Sequence, residues 1–254
     1  MKQISINQLL KKPTTILEKF NQQTKIAILN VKKTKLPYKK WHGSWKRIYF
    51  KSYPRLKEVI LPKPVMNSHF SLTTSLKQRC SRRDFHKVKI SKEKLSTLLF
   101  YGSGLRYYKD ENESRRFYPS AGGRYPLETY VISLNTELDK GVYHYNLKRH
   151  VLETIKSLNK FEHQRYFDQR FIPQSSFIIL LTAVFKRSVI KYGDRSYRYI
   201  LIETGHLAQN LYLLSTILKL KCCAIGSFID DKINSLLDIN GVDESIIYIL
   251  TFGK

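Results

Sequence analysis

The chain has 254 residues, enough for one large domain or two small ones, and 42% of them are hydrophobic, enough for a buried core. Against 20 Asp and Glu stand 45 Lys and Arg, a formal net charge of +25 that attracts polyanions: nucleic acid, acidic peptides or phosphorylated cofactors. The cations are spread along the whole chain with no basic block interleaved with aromatics, so a nucleic-acid site is not indicated and a simply solvated Lys-rich surface stays open. Cys80, Cys222 and Cys223, odd in number and without CxxC spacing, argue against a disulfide framework and against zinc. The opening residues lack an apolar signal segment. The longest apolar run, FIILLTAVF (177–185), is about half of the roughly 20 residues that span a bilayer. A cytoplasmic protein in a reducing compartment is expected.

Residues 1–70 are basic and weakly periodic. They read as an N-terminal extension that wraps the core or binds peptide, ahead of a domain over 71–254. Within it a helix is expected over 5–20, a strand over KIAILNV (25–31) and an extended segment over 36–64, bounded by Pro62 and Pro64. TSLKQRCSRRDF (74–85) starts helically and ends in a basic turn. In SKEKLSTLLFYGSGL (91–105) Ser91 caps a helix, Leu95, Leu98 and Leu99 share a face, and Gly102 and Gly104 stop it. LETYVISL (127–134) alternates as a strand. KGVYHYNLKRHVLETI (140–155) reads as a hairpin around Asn146, and 177–185 as a buried strand. Residues 196–220 read as one long helix with Leu207, Leu211, Leu214 and Leu218 along a stripe, entered at Lys191-Tyr192. A strand over CCAIGSFID, a short helix over DDKINSLLDI and a strand over IIYILTF follow. The irregular alternation with a hairpin predicts an α+β fold.

Several stretches could carry chemistry. In RRFYPSAGGRYPLETY (115–130), the small residues Pro119 to Gly123 let backbone approach a flat or phosphorylated ligand, though an ordinary tight turn reads the same way. RCSRRDF (79–85) gathers three arginines, whose guanidinium groups pair bidentately with phosphate; a solvated basic turn is the alternative. No dinucleotide or Walker motif occurs. His206, three residues after Glu203, makes no metal site and reads as a helix-face hydrogen-bonding group. Cys222 and Cys223 read as small packed hydrophobes.

Together RCSRRDF, YPSAGGRYPLETYV, KYGDRSYRYILIETGHLAQNL and AIGSFIDDKINSLLDI resemble, in order, the nitroreductase superfamily over about residues 71–254. Within it, PSAGG followed by YPLE, the GVYHYN hairpin and YRYILIETGHLAQN resemble the FMN-dependent azoline dehydrogenases of azole-forming peptide biosynthesis, of the streptolysin and microcin types. The resemblance implies an antiparallel sheet flanked by helices, with FMN at a homodimer interface. It implies Arg79, Ser81 and Arg83 as FMN contacts, Arg79 toward the phosphate and Arg83 toward the pyrimidine side. It implies Pro119, Ser120, Ala121 and Gly122 approaching the flavin from the partner subunit, and Gly226 and Ser227 at its reactive edge. Lys254 is a candidate for the phosphate ligation that a longer tail supplies in many nitroreductases. Lys191 and Tyr192 are implied as catalytic. A lysine whose pKa is lowered by desolvation and by Arg195 and Arg198 would take a proton from the azoline, with Tyr192 orienting the substrate or relaying the proton. The implied activity is oxidation of thiazolines or oxazolines to azoles in a ribosomally made peptide of bacteriocin or toxin type. The implied partners are a precursor peptide and a cyclodehydratase complex (YcaO-type enzyme and its partner protein). A generic FMN- and NAD(P)H-dependent nitro or quinone reductase is the second reading, and a non-catalytic basic scaffold or nucleic-acid binder the third.

Overall fold

The computed structural model describes residues 15–25, 40, 42–66, 71–110 and 113–254. Helix α1 runs over Ile16–Gln23, where Thr15 and Glu18 cap each other reciprocally, and α2 over Gly43–Lys46. Of the helix expected over 5–20, residues 5–14 lie outside the described part; so do 26–31 of the expected strand. Strand β1 (Glu58–Ile60) and helices α3 (Leu72–Gln78) and α4 (Lys92–Ser103) follow. Ser91 caps α4 as expected, accepting the Lys94 N–H at 3.4 Å, and Gly104 closes it. Gly102, expected to stop this helix, lies inside it: a Cβ there would sit 2.5 Å from Leu211 Cδ2, so its absence lets the two helices approach.

A small hairpin of β2 (Leu105–Tyr108) and β3 (Ser114–Arg116) leads into β4 (Leu127–Ser133). Strands β5 (Gly141–Asn146) and β6 (Val151–Ser157) form the expected hairpin, and β7 (Phe177–Val184) the expected buried strand. Helix α5 (Lys186–Tyr192) precedes the long α6 (Ser196–Ile217); β8 (Lys221–Ile225), α7 (Asp230–Leu236) and β9 (Glu244–Gly253) complete the chain. Leu218 caps α6 and is only half-buried, so the leucine stripe ends at Leu214.

The main sheet has seven strands in the order β1-β6-β5-β4-β7-β9-β8, every neighbour antiparallel. Both faces are covered. On one, Val131, Ile179, Leu181 and Leu250 pack with Leu95, Leu98, Leu99, Leu207 and Leu211 of α4 and α6. On the other, Tyr130, Ile132, Ile178, Leu180 and Ile249 pack with Ile233, Leu236 and Leu237. The fold is α+β, an antiparallel sheet flanked by helices. This layering corrects the expectation for 127–134: β4 is buried at every residue instead of alternating, because neither face meets water.

Polar groups are buried where strands meet. His144 bridges Glu128 (3.0 Å) and Glu153 (2.8 Å), all three essentially inaccessible, and Arg187 pairs with the other Glu128 oxygen. Burial alone would lower the His144 pKa, but the two carboxylates outweigh it and raise it, favouring the charged imidazole. Residues 42–66, part of the segment expected to be extended, enter this frame. β1 is an edge strand on β6, Ile48 and Leu61 belong to the core, and Lys51 donates to Glu244 (2.5 Å) and to Tyr130 Oη (2.6 Å).

Candidate active site

Two groups of expected site residues assemble at opposite ends of α6. Near its C-terminal half, Arg79 ends α3 and its guanidinium lies 5.5 Å from the Tyr212 ring centroid. Ser81 Oγ is 3.0 Å from Tyr212 Oη, which accepts the Ala224 N–H at 2.7 Å. The Arg82 N–H donates to Cys222 O (2.9 Å), laying the basic turn along β8. Arg83 is exposed beside Cys223. Beyond β8, Gly226 and Ser227 are exposed; a Cβ on Gly226 would meet nothing within 4 Å, and Ser227 O accepts from Gln169. Two exposed or half-exposed guanidinium groups, a hydroxyl and an open backbone strip suit a flat, phosphorylated ligand. The Lys254 carbonyl accepts the His86 N–H (2.6 Å), and its ammonium lies near Lys94. Cys222 and Cys223 are buried in β8 and burial pushes both thiols up, which makes them packing groups as expected.

The second group surrounds the loop 119–123. Ser120 Oγ donates to Glu203 Oε2 (2.6 Å) and accepts the Tyr125 N–H (2.8 Å). Pro119 and Gly122 are exposed and Ala121 half-buried. Gly122 has φ +59°, the left-handed region that glycine enters without penalty. A Cβ on it would lie 2.6 Å from Lys191 Nζ and closer still to Tyr192 Oη, so the loop lies directly against the Lys-Tyr pair.

Lys191 and Tyr192 do not open the long helix, as expected from sequence. They close the separate helix α5, whose cap Gly193 (φ +55°) turns the chain toward α6. Burial first, then the positive charge of Arg124, lowers the Lys191 ammonium from 10.5 to about 8. This corrects the assignment of that effect to Arg195 and Arg198. Arg195 donates to Tyr199 Oη (2.9 Å) and the Thr24 carbonyl, and Arg198 reaches Asn21 and Thr24. Arg124, itself buried, is held by the carbonyls of Arg187 (2.8 Å) and Trp45. Burial and the neighbouring Tyr199 raise the Tyr192 phenol, Arg124 opposing; its ring meets Tyr199 edge-on at 5.0 Å. Near neutrality, then, Lys191 can exist partly as a neutral amine while Tyr192 keeps its proton.

Three residues of this site escaped the sequence reading. Arg124 lay inside the quoted 115–130 stretch without being given a role, and Tyr212 just beyond the last residue of the helix motif. Glu203 was paired in sequence with His206; in the structure His206 is exposed and Glu203 is buried against Ser120, 83 residues away. Burial raises the Glu203 carboxyl to about 7, against the pull of Ser120, Arg116 and Arg187. Glu203 and Tyr212 stand nine residues apart on α6, about 13 Å along its axis, so the helix spaces the two groups. Among the described residues, no cluster of three or more His, Cys, Asp or Glu could hold a metal ion, and no helix is long and apolar enough to cross a membrane.

Comparison with known proteins bears on both groups. Residues 76–254 match the nitroreductase family. MJ1384 of Methanocaldococcus jannaschii, which bears the nitroreductase name, is 33% identical over 64% of this chain and 81% of its own length. The trifolitoxin-processing protein TfxB of Rhizobium leguminosarum bv. trifolii is 28% identical over 61% of this chain and 45% of its own. The microcin B17-processing protein McbC of Escherichia coli is 28% identical over 57% and 56%. This chain thus aligns with about half the length of either processing protein. Among solved structures, a nitroreductase-type protein of Anabaena variabilis superposes with a TM-score of 0.73 at 25% identity, over 96% of this chain and 49% of that one. A chain of the Escherichia coli McbBCD microcin synthetase, with truncated pro-MccB17 bound, shares the fold at 0.59 and 22% identity, over 93% and 86%. The family match, spanning more than half the sequence and both groups of site residues, makes this chain a member of the nitroreductase family.

Proposed function

We propose that the protein is an FMN-dependent oxidoreductase that converts peptide thiazolines or oxazolines to azoles. The observation that carries this is the convergence of Lys191 Nζ and Tyr192 Oη on the Gly122 backbone, with the lysine lowered to about 8 by burial and by Arg124. A reductase whose cofactor does all the chemistry needs no such base; an azoline losing two protons and two electrons does. Kinship at 28% identity to two peptide-processing proteins supports the same reading.

FMN fits the first group: Arg79 would face its phosphate, Arg83 and Ser81 its ring, and Gly226 and Ser227 would leave room at its edge. When bound, it supplies a two-electron acceptor. Lys191, as the amine, takes the proton from the azoline carbon between ring nitrogen and carbonyl, and Tyr192 donates a hydrogen bond that orients the ring. As the family resemblance implies, and consistent with the spacing of the two groups along α6, a complete site would take the Arg79 group from one subunit and the 119–123 loop from a second copy. The protein is therefore read as a homodimer acting on a precursor peptide beside a cyclodehydratase, by analogy with the McbBCD assembly.

The test is anaerobic bleaching of the bound flavin by a thiazoline peptide, with azole formation read as a loss of 2 Da. Bleaching by NAD(P)H with turnover of a nitroaromatic, and none by the peptide, would favour the second reading, a generic nitroreductase, which the 33% identity to MJ1384 supports.

A further inference from the structure

Glu203 is the buried acid that the chemistry above does not use. It is 2% exposed on α6, and its Oε2 accepts a hydrogen bond from the Ser120 hydroxyl at 2.6 Å. Ser120 Oγ already accepts the Tyr125 N–H, so that proton is the one it has to give. Two residues on, Gly122 lies against Lys191 Nζ and Tyr192 Oη. The other Glu203 oxygen, Oε1, is buried with no hydrogen-bond partner among the described residues, and Nε and one terminal nitrogen of Arg116 are in the same state. The charged and titratable groups facing Glu203 are Arg116 of β3, Arg187 of α5 and Tyr118 of the strand-to-loop segment. Behind them stands Glu128, which pairs with Arg187 through one oxygen and with His144 through the other.

We propose that Glu203 is a positioning residue: through Ser120 it anchors the 119–123 loop against Lys191 and Tyr192, and its ionisation sets how firmly the loop is held. This deepens the reading of Lys191 as a base and rests on it. A carboxylate accepts a shorter, stronger hydrogen bond than a carboxylic acid does. The anchor therefore tightens as the pH rises through about 7, where Glu203 ionises, just below the pH of about 8 at which Lys191 loses its own proton. The two events act in the same direction: the loop that keeps Lys191 desolvated is fixed before the amine is needed.

The experiment is competitive acetylation of Lys191 in the full-length protein from pH 5 to 10, read by peptide mass spectrometry. Wild type is expected to titrate near 8 with a shoulder near 7. Ser120→Ala removes only the hydroxyl; it should move the midpoint up by at least one unit, an about fivefold loss of labelling rate at pH 8, and erase the shoulder. Glu203→Gln still accepts from Ser120 but cannot ionise, so it holds the loop only in its looser state: the midpoint should rise by less than in Ser120→Ala, and the shoulder should be lost. A wild-type profile in Ser120→Ala, or a shoulder that survives Glu203→Gln, overturns the proposal. Labelling requires neither flavin nor substrate. If the wild-type protein fails to oxidise an azoline peptide, that refutes the functional reading alone and leaves this result standing.

Discussion

Gly122 and Gly123 are adjacent and both left-handed, at φ +59° and +64°, yet only the first has anything above its Cα. Substituting each by alanine separates strain from contact. A non-glycine residue in that region costs roughly 1–2 kcal/mol, and the penalty should be shared by both variants. At the 254-residue length this is a fall in Tm of about 2–8 °C. At Gly122 the new methyl would also come within 2.6 Å of Lys191 Nζ and nearer still to Tyr192 Oη. Both are tips of flexible side chains, so they would move aside and the fold would survive. A displacement of about 1 Å of a catalytic group costs about 10²-fold in rate. Urea unfolding should therefore show similar losses in the two variants. Single-turnover bleaching of the flavin by a thiazoline peptide should be about 10²-fold slower in Gly122→Ala and near normal in Gly123→Ala. Equal rates in the two variants, or greater damage at Gly123, would refute the argument that the loop touches the Lys-Tyr pair.

Arg79→Ala should weaken FMN binding about ten- to a hundredfold, the value of a charge-assisted hydrogen bond, with folding unchanged; fluorescence titration of the apoprotein checks this. If Lys191 is the base, a pKa of about 8 leaves about a tenth of it neutral at pH 7, some 300-fold more than at the ordinary 10.5. The single-turnover rate should then rise tenfold per pH unit below about 8 and flatten above it. Lys191→Arg should be as slow as Lys191→Ala, since a guanidinium supplies no neutral base; a flat pH profile in wild type would remove Lys191 from that role. His144→Leu removes the imidazole from between two buried carboxylates and should destabilise the fold by about 3–5 kcal/mol, measured by urea unfolding at pH 7. A loss below about 1 kcal/mol would refute the view that the imidazole offsets the two buried carboxylates.

Periodicity and caps carried most of the fold. The apolar run of β7, the Asn146 hairpin, the Ser91 cap and the leucine stripe of α6 are local signals, and each element formed where its signal lay. Gly102 misled because a glycine can serve packing as well as termination, and nothing local distinguishes the two. The strand β4 misled because alternation presumes one wet face, and the second layer with Ile233, Leu236 and Leu237 removes it. The site divided along the same line. The basic turn and the small-residue loop were visible as strings. The agents that tune them, Arg124 beside Lys191 and Glu203 beneath Ser120, are joined to their targets only by the fold. Proximity in sequence pointed to Arg195 and Arg198, which the chain turns away toward Thr24.

The segment 42–66 lies outside the stretch that matches the family, which begins at residue 76. The family match and the folded sheet therefore draw different borders on this chain. Cut at residue 71, the sheet would lose β1 and expose the β6 edge, Arg124 would lose the Trp45 carbonyl, and Glu244 would keep Tyr130 and Thr182 but no cation. Removing one partner of a buried ion pair costs about 3–5 kcal/mol, a large part of the roughly 5–15 kcal/mol that holds a typical domain folded. The matched stretch taken alone is therefore expected to be markedly less stable than the whole chain. Residues that the family match leaves out also brace the cation beside Lys191, so a change there that moved the Trp45 carbonyl would reach the acidity of the lysine.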